Sequence, residues 1–313
     1  MIPRTMKTTF LMKNAFRSKM IILLAVAVMA GRSMAADSDF ESLKAAADRN
    51  DARAAFEVAE RYEEGKDVAQ DPTKAAEYAR RSAEQGNADG EVLYGSYLGR
   101  GIGVSTDRAE AAKWYEKAAN QGDALAQFSI GSFYENGRGV PTNHNLAMEW
   151  WQKAAGLNLA DAQNALGQAF FDTGSTNLAS YPDAAKWLRK AADQDFTASM
   201  NNLGVLYEHG WGTNQDWNEA AKWYRKAALA GNSKAQGNLG VLYLDGRGVT
   251  NDLVQAYVWF KLCAAGGGGV GKKYMIDYDE KNLLTTNQLI QADQMFNDLN
   301  TRITMNKIGP VKP

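Results

Sequence analysis

Apolar and polar positions along the chain repeat with a long period as well as a short one. The hexapeptide "NLGVLY" stands at Asn202–Tyr207 and again at Asn238–Tyr243, 36 residues later. The columns around it repeat too. Gly95, Gly131, Gly167, Gly204 and Gly240 are spaced by 36, 36, 37 and 36 residues, and Ala59 fills the same column 36 before Gly95. An aromatic column of Tyr78, Trp114, Trp150, Trp187, Trp223 and Trp259 keeps the same steps. A fixed period of this length marks a repeat array, here of six units. The one extra residue falls between Phe170 and Ser180, where a loop is expected.

Within each unit the short period predicts two helices. Helix A is typified by "AQFSIGSFYENG" (Ala126–Gly137), whose Ala126, Ile130 and Tyr134 columns recur at four-residue spacing and bury one face. It stops at a glycine column of Gly65, Gly101, Gly137, Gly210 and Gly246, with Thr173 the exception. Helix B begins at Asp71, Asp107, Asn143, Ser180, Asp216 and Asp252, all residue types whose side chains accept from first-turn amides. Asp107 with Glu110 and Asp216 with Glu219 have capping-box spacing, and Pro72 takes the first helical position. Helix B ends at Gly86, Gly122, Gly231 and Gly267, where glycine permits the left-handed turn into the next helix A. Two helices of this length cannot bury their apolar faces on each other alone. Successive pairs are therefore expected to stack into an all-α, right-handed α/α superhelical solenoid.

The stretches "LGVLYLDGRGV…AYVWFKLCAAGG", "IGSFYENGRGV…AMEWWQKAA" and "YGSYLGRGIGV…AAKWYEKAANQG" resemble the Sel1-like repeat, a relative of the tetratricopeptide repeat, over roughly Asp51–Gly267. The first repeat departs with "GKDV" and the fourth with "DTGSTNLAS", so those two turns are expected to differ in shape. The resemblance implies an adaptor that binds a protein or peptide partner. It also implies, through envelope-located bacterial relatives, an assembly factor for cell-wall enzymes or a host-interaction protein. Its other implication is an envelope hydrolase or penicillin-binding, β-lactamase-like activity, associated with cysteine-rich relatives. This chain has a single cysteine and no Ser-x-x-Lys in a plausible site.

The ends read differently from the repeats. Arg4, Lys7, Lys13, Arg17 and Lys19 precede an apolar run, Met20–Ala30, too short to span a bilayer, and Ser33 and Ala35 have signal-peptidase spacing. Residues 1–35 are expected to be a signal peptide, making the protein exported, either periplasmic or secreted, with no stable membrane insertion after cleavage. Residues 36–50 are expected to form a capping helix, 51–271 the six repeats, and 272–313 a capping helix pair and tail. The pair is read after a flexible "GGGGVG" (Gly266–Gly271), with Thr285 and Gln288 as a capping box.

Charge and chemistry narrow the function further. Loss of residues 1–35 removes six positive charges and no negative one, moving the formal net charge from -1 to -7, which disfavours nucleic acid as a partner. Cys263 sits in a small-residue column with Ala118, Ala154, Ala191 and Ala227, which makes it a packing residue rather than a nucleophile. His144 and His209 lack metal-ligand spacing, and the Gly-x-Gly turns join helices rather than a strand to a helix. No catalytic, metal or cofactor site is expected. The tryptophan column is expected to be core, while Trp211 and Trp217 lie outside it and are better placed to reach a ligand. Helix A positions pointing away from the core vary between repeats, as a reading surface requires. They include Phe56, Glu60, Ser96, Arg100, Phe128, Asn136, Asn164, Gln168, Asn201, Asn202, His209, Asn238 and Asp245, the candidate partner-binding residues.

Overall fold

The computed structural model describes residues 39–174 and 176–308; the expected signal peptide lies outside them. Among the described residues all regular structure is helical. Residues 39–48 form α1. The A helices are α2 (Ala52–Glu64), α4 (Ala88–Arg100), α6 (Ala124–Asn136), α8 (Ala160–Gly174), α10 (Thr197–His209) and α12 (Ser233–Asp245). Their B partners are α3 (Pro72–Glu84), α5 (Arg108–Asn120), α7 (His144–Gly156), α9 (Tyr181–Ala192), α11 (Trp217–Leu229) and α13 (Leu253–Ala265). The chain closes with α14 (Gly269–Lys281) and α15 (Thr286–Ile308). Two compact units divide between Ala147 and Met148.

Local signals place the helix boundaries. Asp71, Asp107, Asn143, Asp216 and Asp252 accept first-turn amides at 2.9–3.0 Å, each satisfying donors the helix leaves open. Ser180 does not cap. Its backbone is already helical (φ -82°, ψ -19°), and Asn177 instead caps a short 3-10 turn, Leu178–Ser180, that leads into α9. The cause is the missing turn glycine of repeat four: Thr173 stays helical and α8 runs 15 residues where the other A helices have 13. The capping-box glutamates also behave differently from expectation, since Glu110 and Glu219 pair with Lys113 and Lys222 at 3.0 and 2.8 Å. Thr285 and Gln288 do make both reciprocal bonds. A cap column overlooked in the sequence starts the A helices, where Asp51, Asn87, Asp123 and Asn232 accept amides at 2.6–2.9 Å. Before it, Asn158 (φ 68°) and Asp195 (φ 63°) take the left-handed place held elsewhere by glycine.

In the first unit α2, α3 and α4 pack in succession, followed by α5 and α6. Phe40 and Ala47 of α1 join the buried cluster around Val58, Tyr62 and Tyr78. In the second unit α8 to α13 repeat the same neighbour packing, and α14 docks on α13 as another A helix would. The expected closing helix pair is not a pair, because α15 packs chiefly on α13 and reaches α11. Nor is the glycine run a loose link. Gly269 and Gly271 lie inside α14, and a Cβ on Gly271 would stand 2.4 Å from the Phe260 carbonyl oxygen, so α13 and α14 approach at their backbones.

The aromatic column is core: Tyr78 and the five tryptophans are 2–8% exposed. Lysines three residues on lie against four of those indoles, with Lys117, Lys153, Lys190 and Lys226 Nζ at 3.7–4.7 Å from the rings of Trp114, Trp150, Trp187 and Trp223. The lysine of the Lys-Ala-Ala motif thus covers the indole face left by helix packing.

A second column ties three of the A helices, α6, α8 and α12, to the B helix before each. Gln127, Gln163 and Gln236 are buried and donate to the carbonyls of Ala119, Ala155 and Ala228 at 3.1–3.3 Å. Repeat two has Glu91 there, 3% exposed and bonded by Gln121 Nε2 at 2.8 Å. Burial pushes its carboxyl up, against the opposing pull of the Gln121 bond and Lys117. A raised folded-state value favours the protonated fold, a contribution present at acid pH and lost as pH rises through that value. Glu91→Gln is expected to gain thermal stability over the parent as pH goes from about 4 to about 7. Parallel melting curves that keep a constant offset across that range would contradict this.

Candidate functional site

The candidate partner-binding residues separate into two groups, one in each unit. In the first unit Phe56 and Glu60 of α2 and Ser96 of α4 line one open cleft of about 450 Å³. Val92, Leu93 and Tyr115 form its apolar floor, Leu125 and Ser129 of α6 its far wall, and Asp89 and Asp123 add carboxylates. Ser96 hydrogen-bonds Tyr115, whose hydroxyl is pushed up by burial. Burial and then the carboxylates of Glu64, Glu57, Asp89 and Glu63 raise Glu60. Arg100 and Asn136 are exposed at the ends of α4 and α6, and the Asn136 amide donates to the Ser132 carbonyl at 2.8 Å. Phe128 is half-buried on α6. These three do not line the cleft.

The second unit carries an amide ladder across α8, α10 and α12. Asn238 Nδ2 donates to Asn201 Oδ1 at 3.2 Å, Asn201 Nδ2 to Asn202 Oδ1 at 3.2 Å, and Asn202 Nδ2 to Gln168 Oε1 at 2.6 Å. Ser199 Oγ donates to Asn164 Oδ1 at 2.8 Å. Asn201 was expected to point outward, yet it is 6% exposed. Amides of successive A helices meet directly, Asn202 on Gln168 and Asn238 on Asn201, which closes Asn201 off and pairs most of the ladder internally. Gln168, Asn201 and Asn202 still border a cleft of about 370 Å³ with Ser233 and Lys234. His209 and Asp245 stand apart at helix ends, His209 stacked on Trp211 at 4.4 Å and Asp245 paired with Arg247 at 3.6 Å.

Other residues singled out by chemistry prove structural. Trp211 stacks on Tyr181 at 5.0 Å, and the Arg247 guanidinium lies 5.0 Å from the Trp217 ring, so both are engaged within the fold. Cys263 is 1% exposed and burial raises its thiol, which disfavours the reactive thiolate. His144 is exposed and pairs with Glu135 at 2.8 Å. Among the described residues no helix is long and apolar enough to cross a membrane.

Comparison with known proteins agrees with this architecture. The Sel1 repeat matches six times, over residues 52–87, 88–123, 124–159, 160–196, 197–232 and 233–268. No match was found among the curated proteins. Among solved structures, the chain is 31% identical (TM-score 0.73) to a protective antigen present in uropathogenic Escherichia coli strains and displaying an SLR fold, covering 85% of this chain and 56% of that one. It therefore spans little more than half of the antigen's length. A Sel1 repeat protein from Oxalobacter formigenes is 27% identical with a TM-score of 0.63, covering 81% of this chain and 96% of that one. Six consecutive matches, resting on a helical hairpin each, leave one assignment: the chain belongs to the Sel1 repeat family, a solenoid of helical repeats whose members are in general non-catalytic scaffolds for protein–protein interaction.

Proposed function

We propose that this protein is an exported scaffold that holds an extended segment of a partner protein along its A helices. The observation that carries the reading is convergence: side chains from the variable columns of α2 and α4 meet at one open cleft with an apolar floor. Clefts of this size with a few polar groups suit peptide side chains. The amides of the second unit support the same use. Asn202 and Asn238 are half-buried and already ordered by their neighbours, so a peptide backbone meeting them costs little further ordering. Export is supported by the basic start, short apolar run and Ser33/Ala35 spacing, and by likeness to a protein described as a protective antigen. The partner's class, a cell-envelope enzyme or a host protein, rests on family analogy.

The test is a photo-crosslinking amino acid at Ser96, introduced into the full chain expressed in a bacterial host and compared with the same probe at exposed Lys113 on α5. Ser96 is expected to yield a discrete crosslinked protein that Lys113 does not, from material whose N-terminus reads "ADSDFESL". Identical adduct patterns from both positions would sink the binding face, and an intact N-terminus would sink the export.

A further inference from the structure

The cleft of the first unit has a chemical character that the general scaffold reading leaves open. Phe56, Val92, Leu93 and Leu125 give it an apolar surface, with Leu125 51% exposed although it belongs to a helix packed into the array. Glu60 and Asp89 stand on the same cleft, exposed, and neither is in an ion pair among the described residues. Of the neighbouring acids, Glu57 pairs with Arg53 at 3.1 Å and Glu63 accepts the Tyr97 hydroxyl at 2.7 Å, while Glu64 adds its negative charge on Glu60. Asp123 is occupied in capping α6 through the Ala126 amide. Apart from burial, the strongest groups acting on Glu60 are all acids.

We infer that the cleft between α2, α4 and α6 takes a cationic, apolar peptide segment, in which a lysine or arginine seated at Glu60 and Asp89 flanks an aliphatic or aromatic side chain resting on Phe56, Leu93 and Leu125. The inference deepens the scaffold reading and rests on it. Charge complementarity selects the occupant. An apolar segment with no charge would cover the leucines but leave two carboxylates facing a drier surface, which costs desolvation without a compensating partner. An acidic segment would add repulsion to a field that is already negative. A cation with an adjacent apolar group answers both demands, and long basic side chains lay their methylenes on apolar surface while the charged head reaches the carboxylates.

The experiment uses the full mature chain and three labelled probes: a short acetylated and amidated peptide of alternating leucine and lysine, its leucine–glutamine counterpart and its leucine–glutamate counterpart. Fluorescence anisotropy is expected to rank lysine above glutamine above glutamate. The lysine probe should weaken about tenfold in Glu60→Gln with Asp89→Asn, each exposed charge contributing a few-fold. Both carboxylates are exposed, so the variant should still unfold cooperatively and be fully folded at the assay temperature, which separates lost binding from lost structure. Raising salt to about 0.5 M should produce a similar loss in the parent protein without any substitution. Equal binding of the lysine and glutamine probes, an unchanged affinity in the double variant, or no binding of any probe would overturn the inference. If the Ser96 crosslink still captures a partner in those cases, the scaffold reading survives alone; if it does not, both fall.

Discussion

Trp223→Ala is expected to cost about 3–5 kcal/mol, the range for truncating a large buried aromatic. The ring is 2% exposed, lies between the B helix and its neighbours in the second unit's core, and carries the Lys226 ammonium at 4.5 Å and the Arg189 guanidinium at 5.1 Å on its face. Alanine would leave a cavity that backbone-tight helices cannot collapse to fill, and both cations would lose their seat. Arg189 also donates to the Tyr207 hydroxyl, so the loss spreads to α10. Trp223→Phe should cost less. It keeps most of the volume and removes an indole N–H that has no acceptor in the fold. Trp211→Ala should fall between, at about 1–2 kcal/mol, because this turn residue is half-buried and stacked on Tyr181. Urea titrations of the three variants should separate them in that order. A Trp211→Ala loss as large as that of Trp223→Ala would mean that the turn, not the column, anchors the repeat.

Gly248→Ala is expected to cost about 2–5 kcal/mol, whereas Gly246→Ala two residues earlier should cost about 1–2 kcal/mol. Both glycines are left-handed, at φ 66° and φ 70°. They differ in what lies beside them. A Cβ on Gly246 would meet nothing nearer than the Asn251 side chain at 3.2 Å, but on Gly248 it would fall 2.0 Å from the Trp217 carbonyl oxygen. That oxygen belongs to the first residue of the previous repeat's B helix. The same approach recurs at Gly103 on Pro72, Gly139 on Arg108 and Gly212 on Tyr181, with distances of 1.8–2.4 Å to their carbonyl oxygens. The second glycine of each turn is therefore a contact between repeats, and a methyl group there would push neighbouring backbones apart. Asp67 occupies this place in the first repeat at φ 61°, its carboxylate held by Arg61 at 2.9 Å. A side chain is thus compatible with the dihedral itself, and the close approach makes glycine necessary in the later repeats. Similar thermal shifts for the two alanine variants would show that backbone strain alone sets the cost.

The B-helix caps, the turn glycines and the buried tryptophan column were legible in the residues because each is settled within a few positions of itself. A six-fold period then multiplies every local signal and makes the helix–turn–helix unit plain before any coordinates. One local reading failed where a single missing glycine changed the helix length: α8 ran on to Gly174, as the exception at Thr173 allows, and Ser180 lost its cap role. The helical wheel also reached its limit with Asn201. A wheel places a side chain relative to its own axis and says nothing of how near the next axis comes.

What the sequence by itself determined is the repeat: its length, its two helices, its buried face and its family. Only tertiary structure decided which outward residues remain available. The amides of α8, α10 and α12 turned toward one another, Gly271 drew α14 onto α13, and α15 left α14 for the B helices. It likewise brought Phe56, Glu60, Asp89 and Leu125 together from three separate helices. The physical reason is range. Hydrogen bonds and dihedrals within a turn are specified by adjacent residues, whereas a cleft depends on distances between helices that only the packing of successive repeats defines.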